Sequence, residues 1–149
     1  MTALTLAKPD DLERLLPLVA AFHAEEGIDD VDDSTRRAGV APLLDGSPHG
    51  AIYIIGPVRA PIGYVCISFG WSLAFGGMDG FLDEIYIRPG VRGRGIGSDV
   101  LRSLPKALAG AGMKALHLEV HRDNSKARAL YQSLHFEARD HYSLMSRYL

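Results

Sequence analysis

What the sequence has little of narrows its options first. It holds one cysteine, Cys66, which excludes an internal disulfide framework and fits a reducing, cytoplasmic setting. That cysteine lies between Val65 and Ile67 in a strand-like run, so a buried and inert thiol is expected. Neither charge sign dominates: 16 Lys and Arg stand against 18 Asp and Glu, giving a formal net charge of −2. Without a basic face there is no support for general nucleic-acid binding. A signal-like leader is missing as well, because Lys8-Pro9-Asp10 breaks the early apolar pattern. The longest uncharged stretch, Ala60 to Met78, contains Pro61, Gly63, Gly70, Gly76 and Gly77 and alternates polar with apolar. It reads as strand and loop, not as a membrane span. With 149 residues there is room for one domain over residues 1–149, built on one core.

What is present centres on Phe81 to Leu104. Phe81-Leu-Asp-Glu-Ile-Tyr-Ile87 is apolar and β-branched, with two acids set in it, and predicts a strand. Pro89-Gly90 stops it. Gly93, Gly95 and Gly97 then alternate with Arg92, Arg94 and Ile96, and Ser98 precedes an apolar set with helical spacing at Val100, Leu101, Leu104 and Leu108. Strand, glycine-rich loop and helix in that order make a phosphate cradle. The first N–H groups of a helix lack internal partners and carry partial positive charge. The spacing excludes two other phosphate loops. No Lys follows these glycines as a P-loop requires, and the third position of a Gly-x-Gly-x-x-Gly fingerprint falls on Ser98.

Arg92-x-x-Gly95-x-Gly97 instead resembles the acyl-CoA-binding loop of the GCN5-related N-acetyltransferase (GNAT) superfamily. Leu116-His-Leu-Glu-Val120, Asn124, Ala127, Leu130, Tyr131 and Phe136 resemble the same family's next strand, its Asn-x-x-Ala-x-x-Leu-Tyr helix and its closing strand. The likeness is specific from Phe81 to Phe136. It implies an α/β (α+β) single-domain fold with a mixed, mostly antiparallel sheet of about six to seven strands and about four helices. It also implies acetyl-CoA as co-substrate, no metal, a small amine acceptor and a homodimer.

The resemblance further assigns roles by position. The pocket for acetyl-CoA would draw on the backbone of Ile85, Tyr86 and Ile87, on Arg92, Gly93, Arg94, Gly95, Ile96, Gly97 and Ser98, and on Asn124. Tyr131 would donate a proton to the departing thiolate. A phenol suits that step because it stays protonated at neutral pH. An amine acceptor has a pKa of about 10 and must lose a proton before it attacks. Asp83 or Glu84 could take that proton, directly or through water, or hold the ammonium. Alternation puts them on opposite strand faces unless a bulge intervenes, so only one is expected to reach the acceptor; Asp83 is narrowly favoured for that side and Glu84 stays open.

The rest of the chain reads in order. Ala3 to Ala7 is a short strand. Pro9-Asp10-Asp11 starts a helix that reaches Gly27 and is kinked or split at Pro17. The run from Glu25 to Asp33 is either a solvated loop or an attractor for a cationic acceptor, with Glu25 and Glu26 as the candidates. Ser34 caps a second helix to Leu44. Ala51 to Ile55 and Ile62 to Phe69 form a hairpin. Gly70 to Gly80 is a loop on which Trp71 lines the acceptor site, makes a subunit contact or caps the core. Arg139 to Tyr148 form the last strands. His117, Glu119 and His121 share a strand face, but acyl transfer needs no metal there.

Together these features predict an N-acetyltransferase that transfers directly in a ternary complex. Its weaker likeness is to the di- and polyamine branch. The alternatives are a protein Lys or N-terminal acetyltransferase and a non-catalytic CoA-sensing domain.

Overall fold

In the computed structural model, which describes residues 2–149, β1 (Leu4–Leu6) pairs with β2 (Gly50–Ile55), and β2 pairs with β3 (Gly63–Ser72). β3 pairs with β4 (Gly77–Ile87), and all three of these pairings are antiparallel. β4 then pairs in parallel with β5 (Ala115–Leu118), giving the order β1-β2-β3-β4-β5. Parallel neighbours need a crossover. Here it is α3 (Ile96–Gly110), the helix expected after the glycine-rich loop.

α1 (Leu12–Glu25) and α2 (Asp33–Val40) lie between β1 and β2 in sequence. Alternate strand residues Ile52, Ile54, Tyr64, Cys66 and Tyr86 form one buried cluster with Leu15, Leu18 and Val19 of α1 and Val40 of α2. Val65 and Ile67 have the opposite parity on β3 and are also buried, as are Leu82, which pairs with Ile67, and Val100, Leu101, Leu104 and Leu108 along α3. Gly63 is required by close approach, since a Cβ there would run into the backbone carbonyl of Tyr86.

Several expectations are corrected. Asp32, not Ser34, caps α2, accepting the Thr35 N–H at 2.8 Å, because its carboxylate stands three residues before that amide. Residues 70–80 are mostly strand: β3 and β4 pair as far as Ser72 and Gly77, leaving Leu73 to Gly76 as the turn. Pro17 sits within an unbroken α1.

Contacts divide the chain into one unit ending at Glu119 and a second from Val120 to Leu149. The second holds α4 (Ser125–Ser133), capped by Asn124, whose side-chain oxygen accepts the Ala127 N–H at 3.1 Å. No strand forms over residues 139–148, so the sheet has five strands among the described residues, not six or seven. Tyr142, Leu144, Met145 and Tyr148 are exposed there. Alternation marks a segment able to pair, but a strand exists only where a ladder partner meets it.

Candidate active site

The register of β3 and β4 shifts at the two acids. Cys66 stands opposite Glu84 and Ile67 opposite Leu82, leaving Asp83 as the extra residue of a β-bulge. The bulge is the exception that simple alternation leaves open, and it joins Asp83 and Glu84 into one electrostatic unit. Asp83 keeps solvent contact, yet its pKa is raised, first by the protein atoms crowding it and then by the charge of Glu84. His23 opposes that shift and Glu119 adds to it.

Glu84 is held at both oxygens. Tyr64 donates its hydroxyl to Oε1 at 2.7 Å, and His23 Nε2 lies 2.8 Å from Oε2. An ionised carboxylate has no proton to give, so Nε2 carries the hydrogen. Burial, followed by the charge of Glu84, drives the Tyr64 hydroxyl far above the usual phenol range, so it remains a donor. Burial and then Asp83 and Glu84 push the Cys66 thiol up to about 12. As expected, that thiol is buried and inert.

Sequence reading missed both His23 and Tyr64. One ends an amphipathic helix and the other opens an apolar strand, and their shared partner is 61 and 20 residues away. No local spacing signals either.

Below the bulge β4 runs on without its neighbour. β5 pairs only with Asp79 to Leu82, so Glu84 to Ile87 have a ladder partner on the β3 side alone. The Tyr86 side chain is buried against Tyr64, with ring centroids 6.3 Å apart, so at this position only the backbone could face a ligand. The Ile87 carbonyl already accepts Arg92 Nε at 2.7 Å.

The loop then enters α3 through Gly95, whose φ of 79° is a left-handed conformation that favours glycine. The helix's first internal bond runs from Asp99 N–H to Gly95 C=O at 3.0 Å. The amides of Ile96, Gly97 and Ser98 therefore precede the hydrogen-bonded ladder, as the cradle requires. Gly97 lies in this first turn, and a Cβ there would touch only Ile87 Cδ1, at 3.5 Å.

The two loop arginines separate. Arg92 is drawn back to Glu25 at 2.8 Å and lies over the Tyr86 ring at 5.4 Å, whereas Arg94 is exposed. Glu25, expected on the acceptor side, is thus tied to the loop, and the hydrogen bond from Arg92 holds its carboxyl below the usual range. Glu26 is exposed.

Trp71 is 72% exposed near the tip of the β3–β4 hairpin, opposite Met78. At about 3.3 Å per residue it lies about 20 Å along the sheet from Glu84. It is not beside Asp83 and Glu84. His117 is taken up by Asp79 at 3.3 Å and by stacking on Phe75. A cleft of about 530 Å³ lined by Leu6, Leu43, Tyr53 and Phe69 includes none of the expected site residues.

In the second unit Tyr131 lies on α4, its ring edge-on to Phe136 with centroids 6.0 Å apart. Asn124 has a structural reason of its own as the cap of that helix. Its amide nitrogen is not used by the cap.

A bulged pair of acids, an open strand edge and a glycine-capped helix thus follow one another within 16 residues of chain, Asp83 to Ser98. The family model of the Acetyltransferase (GNAT) family matches residues 16–136. The chain belongs to this acetyltransferase family. The expected enzyme class, an acetyl-CoA-dependent N-acetyltransferase, is the family's own.

Thialysine N-epsilon-acetyltransferase of Bos taurus is 33% identical over 136 residues, which cover 86% of this acetyltransferase and 79% of the relative. An integron cassette protein from the mobile metagenome of Cole Harbour Salt Marsh shares the fold with a TM-score of 0.83 and 25% identity, over 98% of this chain and 90% of its own. An aminoglycoside N-acetyltransferase in complex with CoA superposes with a TM-score of 0.78 at 17% identity, over 99% and 95% of the two chains. That likeness concerns the fold alone. No helix among the described residues is long and apolar enough to cross a membrane.

Proposed function

We propose that this chain acts as one acyltransferase domain, moving an acetyl group from acetyl-CoA to a primary amine of a small cationic acceptor in a ternary complex. The observation that carries the proposal is the bulge at Asp83, which sets two carboxylates at the head of an open strand edge that leads to the amides of α3. The diphosphate of CoA would lie on the N–H groups of Ile96, Gly97 and Ser98, with Arg94 adding a full charge. Arg92 would act chiefly by fixing the loop through Glu25. The pantetheine arm would run along Ile85 to Ile87 in the manner of an added strand.

Asp83 is the better base. Its raised pKa strengthens its hold on a proton, whereas both oxygens of Glu84 are already engaged. The ammonium N–H bond breaks as an Asp83 O–H bond forms, and the freed amine attacks the thioester carbonyl. The C–S bond then breaks, the thiolate takes the Tyr131 hydroxyl proton, and the second N–H proton leaves the acylated nitrogen for solvent, from which Tyr131 regains its proton. A cationic acceptor agrees with the thialysine for which the Bos taurus relative is named and with the charge of the Asp83–Glu84 pair. A homodimer and a cytoplasmic location belong to the same proposal; the single buried thiol of Cys66 suits the latter.

The test is a screen of primary amines, thialysine and polyamines included, with acetyl-CoA and thiol release as the readout. Turnover should be confined to acceptors with a second cationic group near the reacting amine. Equal turnover of neutral amines such as tyramine would refute the acceptor class.

A further inference from the structure

The geometry points to His23 as a positioning residue whose proton state sets whether the acceptor site presents one net negative charge or two. This rests on the proposal that Asp83 and Glu84 face the acceptor. His23 is 8% exposed, and its Nε2–H is committed to Glu84. Its other ring nitrogen, Nδ1, is buried and has no hydrogen-bond partner among the described residues. A buried nitrogen without a partner is tolerated as a bare lone pair far more readily than as an unpaired N–H. The neutral ring with hydrogen on Nε2 is therefore the form this packing accommodates.

The surroundings pull the other way. Glu84 stands 2.8 Å away, Asp83 interacts with His23 through charge, and Glu119 contributes negative charge to the same cluster. Tyr64 and Cys66 of β3 face the cluster, but burial keeps both protonated and neutral. Arg92 is spent on Glu25, two residues beyond His23 on α1. A histidine is thus the residue of this acidic cluster able to become a cation.

With His23 neutral, Asp83 and Glu84 present two negative charges to the acceptor ammonium. Uptake of a proton at Nδ1 cancels one of them. That weakens the hold on a cationic acceptor, and it lowers the basicity of Asp83, the direction in which His23 already acts on it. One unit charge about 4 Å from the bound ammonium is worth about five- to tenfold in affinity at the dielectric of bulk water.

The experiment follows KM for thialysine, or for the best amine in the screen, and kcat from pH 5.5 to 8.5. It uses the full chain as wild type, His23→Gln and His23→Ala. Gln keeps a donor within reach of Glu84 but does not titrate. In the wild type, acceptor KM should rise five- to tenfold between pH 8 and 6. His23→Gln should flatten that rise, while His23→Ala should also lower kcat by releasing Glu84. A wild-type pH profile retained by His23→Gln would overturn the inference. A histidine NMR titration covers the case in which a variant does not fold. In the wild type the His23 resonance should move over the same pH range as KM, and a resonance that does not titrate there overturns the proposal. The underlying reading is checked apart from this by Asp83→Asn and Glu84→Gln. If both keep wild-type kcat/KM, the site assignment fails whatever His23 does.

Discussion

Replacing Gly97 by Glu should move stability and ligand binding in opposite directions. The position is in the first turn of α3, and a Cβ there meets only Ile87 Cδ1 at an ordinary 3.5 Å. A side chain is therefore sterically acceptable. Glycine is about 0.5–1 kcal/mol worse than an ordinary helix former, and an acid near a helix N-terminus contributes about 0.3–1 kcal/mol. The variant should be more stable by about 1 kcal/mol, raising Tm by about 2–4 °C. The same carboxylate would stand in the mouth of the cradle. Facing a diphosphate at about 6 Å with an effective dielectric near 20, it would cost about 2–3 kcal/mol of binding, or about 30- to 150-fold in Kd. Thermal unfolding by circular dichroism and calorimetric titration with CoA measure the two effects on one sample. A variant with raised Tm and wild-type CoA affinity would refute the idea that α3 amides grip the diphosphate.

Further expectations follow from the other groups. Tyr131→Phe should lower kcat about 100-fold or more while leaving the Kd for CoA within about twofold, which calorimetry and thiol release distinguish. Asp83→Asn should reduce kcat/KM by at least about 100-fold. Because the folded-state pKa of Asp83 is raised, folding favours its protonated form, so stability falls as pH rises from the unfolded value of 3.8 through the folded one. The Asn variant should therefore be the more stable at neutral pH, and that gain should vanish below the unfolded value, as melts at pH 7 and 3 would show. Trp71→Ala should leave kcat/KM within about twofold, since about 20 Å of strand separates it from Glu84; a larger loss would mean that Trp71 serves a site after all. Glu25→Gln should change stability by less than about 1 kcal/mol, because its ion pair with Arg92 is exposed on both sides.

Features that depend on neighbours in sequence were legible before any coordinates. Strand, proline stop, glycine entry and amphipathic α3 are set by backbone sterics and by hydrogen bonds spanning a few residues. Asn124 followed by Ala127 marks a helix start for the same reason. The residues that tune the site were not legible, because they meet only through the sheet. His23 reaches Glu84 across 61 residues, and Arg92 reaches Glu25 across 67. Strand periodicity could name Asp83 and Glu84, but whether alternation holds depends on how β3 is paired against β4. A one-residue slip at Cys66 decided it. The tail shows the converse: its pattern permits a strand, yet residues 139–148 have no ladder. Sequence alone determined which segments can form and which are candidates to carry chemistry, since those are local properties of the chain. Tertiary structure decided which charges are neutralised and by whom, since Coulomb and hydrogen-bond energies depend on distances that only packing sets.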